Sequence, residues 1–207
     1  MFYATSDLES KLWSQGKLLV CGVDEVGRGC FAGPVVAGAV ILPPQNPPNL
    51  PMPSGLADSK LLKPEVREKL AREIQAMALD YAIGLVEVDM INQIGIGKAT
   101  QLAFVRAIQG LKNPPDHILI DAFYINDLDK SNQQPVKDGD KLSVSIAAAS
   151  IVAKVYRDQL MRELDAQFPG YGFAIHKGYG TKLHQSAIKE KGLCLLHRTS
   201  FNLTKFL

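Results

Sequence analysis

Asp24 and Glu25 stand side by side and run directly into Gly27-Arg28-Gly29, with Ala32-Gly33-Pro34 following. Adjacent carboxylates are hard oxygen donors of the kind divalent cations take. A guanidinium between two glycines suits a phosphate brought close to the backbone, because glycine lets N–H groups approach a ligand without a Cβ in the way. A plain turn with exposed acids needs neither the guanidinium nor both unhindered neighbours, so the segment reads as a metal and phosphate site. Asp121 closes the apolar run His117-Ile118-Leu119-Ile120, and Asp140 lies in Lys137-Asp138-Gly139-Asp140-Lys141. Strand ends are where α/β folds collect ligand-binding groups. Four carboxylates meeting without countercharge would repel strongly, so their convergence would require divalent cations.

A second cluster is Ile175-His176-Lys177-Gly178-Tyr179-Gly180-Thr181-Lys182, an aromatic ring among cations and glycines. Rings stack on bases or sugars while lysine meets phosphate, a combination suited to a nucleic-acid groove. Taken alone the motif equally describes a turn with a partly buried tyrosine. The net charge is only +2, yet residues 171 to 207 hold six Lys or Arg against one acid, Glu190. By charge alone that tail fits a polyanion surface or a solvated basic helix equally well.

Other signals fail on inspection. Gly95-Ile96-Gly97-Lys98-Ala99-Thr100 resembles a phosphate loop, but Asn92 and Ala99 occupy positions where a Walker A pattern needs Gly and Ser or Thr. Asp127, Asp129 and Ser131 begin like a calcium loop, but Asn132 and Asp138 replace its glycine and its glutamate. Asp158 reads as a salt-bridging or solvent-facing residue of its helix, and Lys154 as a snorkelling side chain.

The elements that must position these groups follow from periodicity. Strand-type runs occur at 18–23, 34–42, 81–88 and 117–120, so Asp24, Glu25 and Asp121 fall at strand ends. Residues 64–79 open with Pro64 in a first-turn position and place Val66, Leu70, Ile74 and Met77 on one face, and 100–111 repeat the pattern with Leu102, Ala103 and Ile108. A long alanine-rich helix runs from Ile146 toward Phe168 and stops at Pro169-Gly170. Residues 43–53 and 126–139 read as loops. A glycine loop joining the first two strands, followed by alternating strands and helices, predicts an α/β domain with a mixed sheet.

The chain has 207 residues, enough for one domain with an ordinary core. Three cysteines, Cys21, Cys30 and Cys194, without CxxC spacing argue against a disulfide framework or a zinc cluster. The amino terminus lacks a basic region followed by an apolar one, and no apolar run approaches a bilayer span. A soluble cytoplasmic protein, neither exported nor inserted, is expected.

In order along the chain, Asp24-Glu25-Val26-Gly27-Arg28-Gly29, Ala32-Gly33-Pro34-Val35, Asp58-Ser59-Lys60, Ile120-Asp121, Gly139-Asp140, Ala147 to Asp158, and His176 to Thr181 closely resemble bacterial ribonuclease HII. The match runs from about 18 to about 200. The resemblance implies an RNase H-like α/β fold, a mixed five-stranded sheet flanked by helices. It also implies a single domain over 1–207, in which about 170–207 form a basic, helical C-terminal segment that helps hold the duplex. It makes Asp24, Glu25, Asp121 and Asp140 the catalytic and metal-binding carboxylates. Gly27, Arg28 and Gly29 would read the ribose 2′-OH and adjacent phosphate, Tyr179 would pack on the sugar, and Lys60, Lys177 and Lys182 would join the substrate-binding set. The implied activity is hydrolysis of the RNA strand of RNA/DNA hybrids and cleavage 5′ of single ribonucleotides in duplex DNA, leaving 3′-hydroxyl and 5′-phosphate ends. A monomer is expected, and a replication-clamp contact is not readable.

The chemistry suits the residues independently. Two ions roughly 4 Å apart activate water and stabilise the leaving 3′-oxygen. Magnesium is the default and manganese a substitute, because the ligands are all oxygen. No Ser/His/Asp or Cys/His nucleophile set stands out, which agrees with direct attack by water. One departure from the family pattern is the stretch between Asp89 and Thr100, which carries extra residues and has Gly95 where many relatives have Asn, so a phosphate contact usually supplied there is not expected. The related ribonuclease HIII carries an N-terminal substrate-binding extension not seen in this sequence, which makes it the second reading. A non-catalytic hybrid-binding module and a small-molecule phosphatase are the rivals from other classes. An acidic cluster weakens binding of a polyanion unless metal neutralises it, and a phosphatase has no use for the basic tail.

Overall fold

The computed structural model describes residues 4–44 and 62–206. Asp58, Ser59 and Lys60 lie outside the described residues, as does most of the Pro-rich 43–53 stretch. The elements are α1 (Asp7–Ser14), β1 (Val20–Val26), β2 (Val35–Ile41), α2 (Pro64–Met77), β3 (Asp80–Val86), α3 (Val88–Gln109), β4 (His117–Asp121), β5 (Gln133–Val136), α4 (Gly139–Leu142), α5 (Val144–Gln167), α6 (Phe173–His176) and α7 (Lys182–Lys191). The five strands form one sheet in the order β3-β2-β1-β4-β5. Its β3-β2 and β2-β1 pairs are antiparallel, while β1-β4 and β4-β5 are parallel.

Every residue of β2 is buried, which requires cover on both faces. Alternation along the strands assigns the faces. Cys21, Val23, Val35, Ala37, Ala39 and Ile41 pack with Ala99, Ala103, Phe104 and Ala107 of α3. Val40 and Leu42 pack on the other side with Leu70 and Ile74 of α2 and with Ala147, Ala148, Ile151 and Val152 of α5. The alanine face of α5 comes very close to the sheet at Gly22, where a Cβ would fall 2.0 Å from the Ser145 carbonyl carbon. Ser143 starts α5 by accepting the Ile146 N–H at 3.2 Å, satisfying one of the donors a helix start leaves free.

Three expectations are corrected. Residues 126–139 are not all loop, because they contain β5. Pro135 within it weakens the strand signal, and β5 occupies a sheet edge, the one place a strand tolerates a residue without an N–H. In α2 the inward face carries Arg67 in place of Val66, which is 45% exposed. Arg67 repays its burial by donating to the Leu62 carbonyl at 2.8 Å and pairing with Asp158 at 3.3 Å. The helix expected at 100–111 is the second part of α3, which is kinked at Gly95 (φ 79°).

Candidate active site

Parallel pairing of β1 and β4 places Val23 opposite Ile120, so Asp24 and Asp121 follow side by side. Asp121 is at the end of β4 and Asp24 is two residues before the end of β1, which continues to pair with β2 as far as Val26. Asp24 lies on the α5 side of β1 and is buried, with the Ser150 hydroxyl and the Glu25 N–H as hydrogen-bond donors, the latter at 2.7 Å. Burial, then the charges of Glu25 and Asp121, push its carboxyl well above the ordinary range against those two bonds. Asp121 accepts the Gly139 N–H at 2.8 Å, which draws the start of α4 and the neighbouring buried Asp140 toward the end of β4. Glu25 reaches Arg28 at 4.0 Å, and the Arg28 guanidinium lies 5.1 Å over the Phe123 ring.

Asp24 and Asp121 are therefore neighbours, the buried Asp140 follows directly on the glycine that bonds Asp121, and Glu25 pairs with Arg28. Among the described residues no three His, Cys, Asp or Glu side chains gather tightly enough to enclose an ion. The donor set still fits a hard divalent cation. All its donors are oxygens, and the cost of ionising Asp24 beside two acids is the cost a cation offsets. Magnesium in particular takes one or two carboxylates plus water and substrate phosphate, without a closed protein cage.

The glycine loop is shaped from behind by two fully buried arginines that sequence reasoning missed. Arg157 of α5 donates to the carbonyls of Pro34 (2.9 Å), Ala32 (3.1 Å) and Lys177 (2.8 Å). Arg198 donates to Gly33 twice, at 3.0 and 2.8 Å, and to Arg28 at 2.9 Å. Gly27 has φ +88° and packs directly on Arg157, whose Nε would lie 2.2 Å from an added Cβ. A Cβ at Gly29 would meet nothing within 4 Å, so this part of the loop presents its backbone to open space. Arg157 had a signal in the sequence, since Ala153 and Met161 one turn either side of it are buried. Arg198 lies in an irregular segment without periodicity and had none.

The Tyr179 motif meets this loop. Phe31 donates its N–H to the Gly178 carbonyl at 2.8 Å. Tyr179 is 36% exposed, and burial, with Cys30 alongside, raises the phenol to about 12. Lys177 has a setting different from the one the motif suggested: its ammonium bonds the Ala174 carbonyl, and burial lowers its pKa. Lys182 is exposed on α7 and lines a cavity of about 430 Å³ with Lys189, Lys205 and Phe206. Lys60 lies outside the described residues.

Comparison with known proteins gives a consistent result. A family model described as ribonuclease HII matches residues 21–204. A ribonuclease HII from Dehalococcoides mccartyi is 47% identical over 93% of this chain and 90% of its own. The structure of ribonuclease H2 from Pyrococcus horikoshii superposes with a TM-score of 0.73 at 26% identity, covering 90% of this chain and 95% of that one. Bst-RNase HIII in complex with Mn2+ has a TM-score of 0.68 at 21% identity, over 92% of this chain and 69% of that one, which shows a shared fold. The five-stranded mixed sheet with flanking helices is the RNase H-like fold.

Proposed function

The chain belongs to the ribonuclease HII family, endoribonucleases of the ribonuclease H type, and from that premise we propose that it cuts the RNA strand of RNA/DNA hybrids and duplex DNA 5′ of single embedded ribonucleotides. The observation that carries this reading is the adjacency of Asp24 and Asp121 on paired strands, beside a glycine loop tied to Tyr179.

In this reading Asp24, Glu25, Asp121 and Asp140 hold the divalent cations. Magnesium or manganese, when bound, supplies a water activated at neutral pH and neutralises charge on the scissile phosphate in a two-ion site. The backbone of Gly27 to Gly29 accepts the ribonucleotide, with its 2′-OH as the group that separates RNA from DNA, and Arg28 meets the adjacent phosphate. Tyr179 packs on the sugar. Lys182, with Lys60 and Lys177, belongs to the substrate-binding set, and residues 170–207 act as the C-terminal duplex-holding part of a single domain over 1–207. Products carry 3′-hydroxyl and 5′-phosphate ends. A cytoplasmic monomer in ribonucleotide excision repair fits this activity, and no helix among the described residues is long and apolar enough to cross a membrane.

The deciding experiment incubates the protein and magnesium with a DNA duplex holding one ribonucleotide, an all-DNA duplex and an RNA/DNA hybrid, and maps the ends. Cleavage 5′ of the ribonucleotide with the all-DNA duplex intact is expected. Equal cutting of the all-DNA duplex would refute the recognition scheme.

A further inference from the structure

Ser150, Lys154 and Asp158 recur every fourth residue on α5 and so share one face of the helix. The stripe begins at the carboxylates, where Ser150 bonds Asp24, and leads toward the Tyr179 turn. Lys154 is the middle member. Its side chain is only 13% exposed, and its ammonium lies 2.7 Å from one Asp158 carboxylate oxygen and 5.4 Å from the centre of the Tyr179 ring. The other Asp158 oxygen takes Arg67 of α2 at 3.3 Å. Asp158 therefore salt-bridges, as the sequence suggested, and Lys154 is held between that carboxylate and the Tyr179 ring.

We propose that Lys154 is a positioning residue for the ribonucleotide site, an ammonium tethered by Asp158 and Arg67 that holds the plane of the Tyr179 ring against which a sugar packs. The proposal rests on the reading of Tyr179 as the sugar platform. The backbone of Tyr179 is held by hydrogen bonds with His176, Thr181 and His184, which leaves rotation of its side chain as the remaining freedom. A cation over one face removes it, since the electron-rich face of the ring attracts the ammonium and the attraction grows when water is excluded. In this reading the sugar packs on the opposite face. A ring held at one angle aligns the bound nucleotide for attack, an effect on turnover more than on affinity.

Two measurements test this. In protein carrying ring-labelled tyrosine, the Tyr179 NMR signal, identified by its loss in Tyr179→Phe, should shift and broaden in Lys154→Met and stay near its wild-type position in Lys154→Arg. In cleavage of a single-ribonucleotide duplex, Lys154→Met should lower kcat about tenfold with KM changed less than about threefold. Lys154→Arg should keep most of the rate, and Lys154→Met added to Tyr179→Ala should cost nothing further. An unmoved Tyr179 signal, or losses that multiply in the double variant, overturns the proposal. If wild-type protein fails to cut the ribonucleotide substrate, the proposed function falls, and the NMR arm still decides whether Lys154 fixes the ring.

Discussion

Arg198, from the irregular segment after α7, closes two hydrogen bonds on the Gly33 carbonyl at 3.0 and 2.8 Å and so clamps the far end of the glycine loop from inside the protein. A third bond to the Arg28 carbonyl at 2.9 Å fixes the near end. The C-terminal segment is thereby part of the loop's construction as well as a surface.

Arg198→Lys should show what that fork is worth. A lysine keeps the charge but cannot present three N–H groups in one plane, so the buried Gly33 carbonyl or the part-buried Arg28 carbonyl loses its partner at about 1 to 3 kcal/mol. Urea denaturation should show a loss of a few kcal/mol, and discrimination between ribonucleotide-containing and all-DNA duplexes should weaken. A variant as stable and as selective as wild type would show that the loop holds its shape without the clamp.

Asp24→Asn should separate chemistry from stability. The raised carboxyl pKa means that the native state holds its proton above the pH at which the unfolded chain releases it, so stability falls as pH rises from about 4 through the native pKa. The amide avoids that cost. In EDTA at pH 7.5 the variant should melt above wild type, magnesium should raise the melting temperature of wild type more than that of the variant, and cleavage should drop at least about a hundredfold. Calorimetry with and without magnesium checks the first two; a variant that melts lower in EDTA would contradict the electrostatic account.

The buried histidines predict an acid limit. Cys194 donates its N–H to His197 Nδ1 at 2.9 Å, His197 and His184 share a proton between Nε2 atoms 3.0 Å apart, and His184 Nδ1 bonds the Tyr179 carbonyl at 3.0 Å. Read as a network, this is a chain of neutral rings in which an added proton displaces one of these bonds. Burial lowers His184 to about 4 and lowers His176 and His197 as well. A depressed histidine pKa makes the unfolded chain take up protons first. Stability is therefore complete above about pH 6.5 and is lost as pH falls toward 4, by about 2 kcal/mol at pH 5 from His184 alone. Urea titrations at pH 5 and pH 7 in the Asp24→Asn background, which removes the opposing carboxylate, should show this difference. Equal stability at both values would mean the rings are not held neutral.

Lys182, Lys189 and Lys205 line one cavity and should act on phosphates without regard to sequence. Replacing all three by alanine should weaken binding of hybrid and ribonucleotide-containing duplex alike and flatten the salt dependence by about 0.9 in slope for each lysine that meets a phosphate. A folded triple variant with the wild-type slope would return this face to an ordinary solvated helix.

Sequence by itself determined the fold class, the long alanine helix, and the strands that carry Asp24, Glu25 and Asp121, because apolar periodicity and adjacency along the chain are local properties, although β1 extends past the expected end at residue 23 to include Asp24 and Glu25. The glycines of the loop and the Tyr179 motif were legible for the same reason. Only the tertiary structure decided that Gly139 bonds Asp121, that Lys177 turns onto Ala174 while Lys182 faces solvent, and that Arg157 and Arg198 are buried behind the loop. Pro135 hid an edge strand, because its missing N–H argues against a strand until the sheet order shows that, among the described residues, no partner lies beyond it. The role of a charged residue such as Lys154 depends on which distant carboxylate and which ring meet it. That is set by long-range packing, which leaves no period in the sequence.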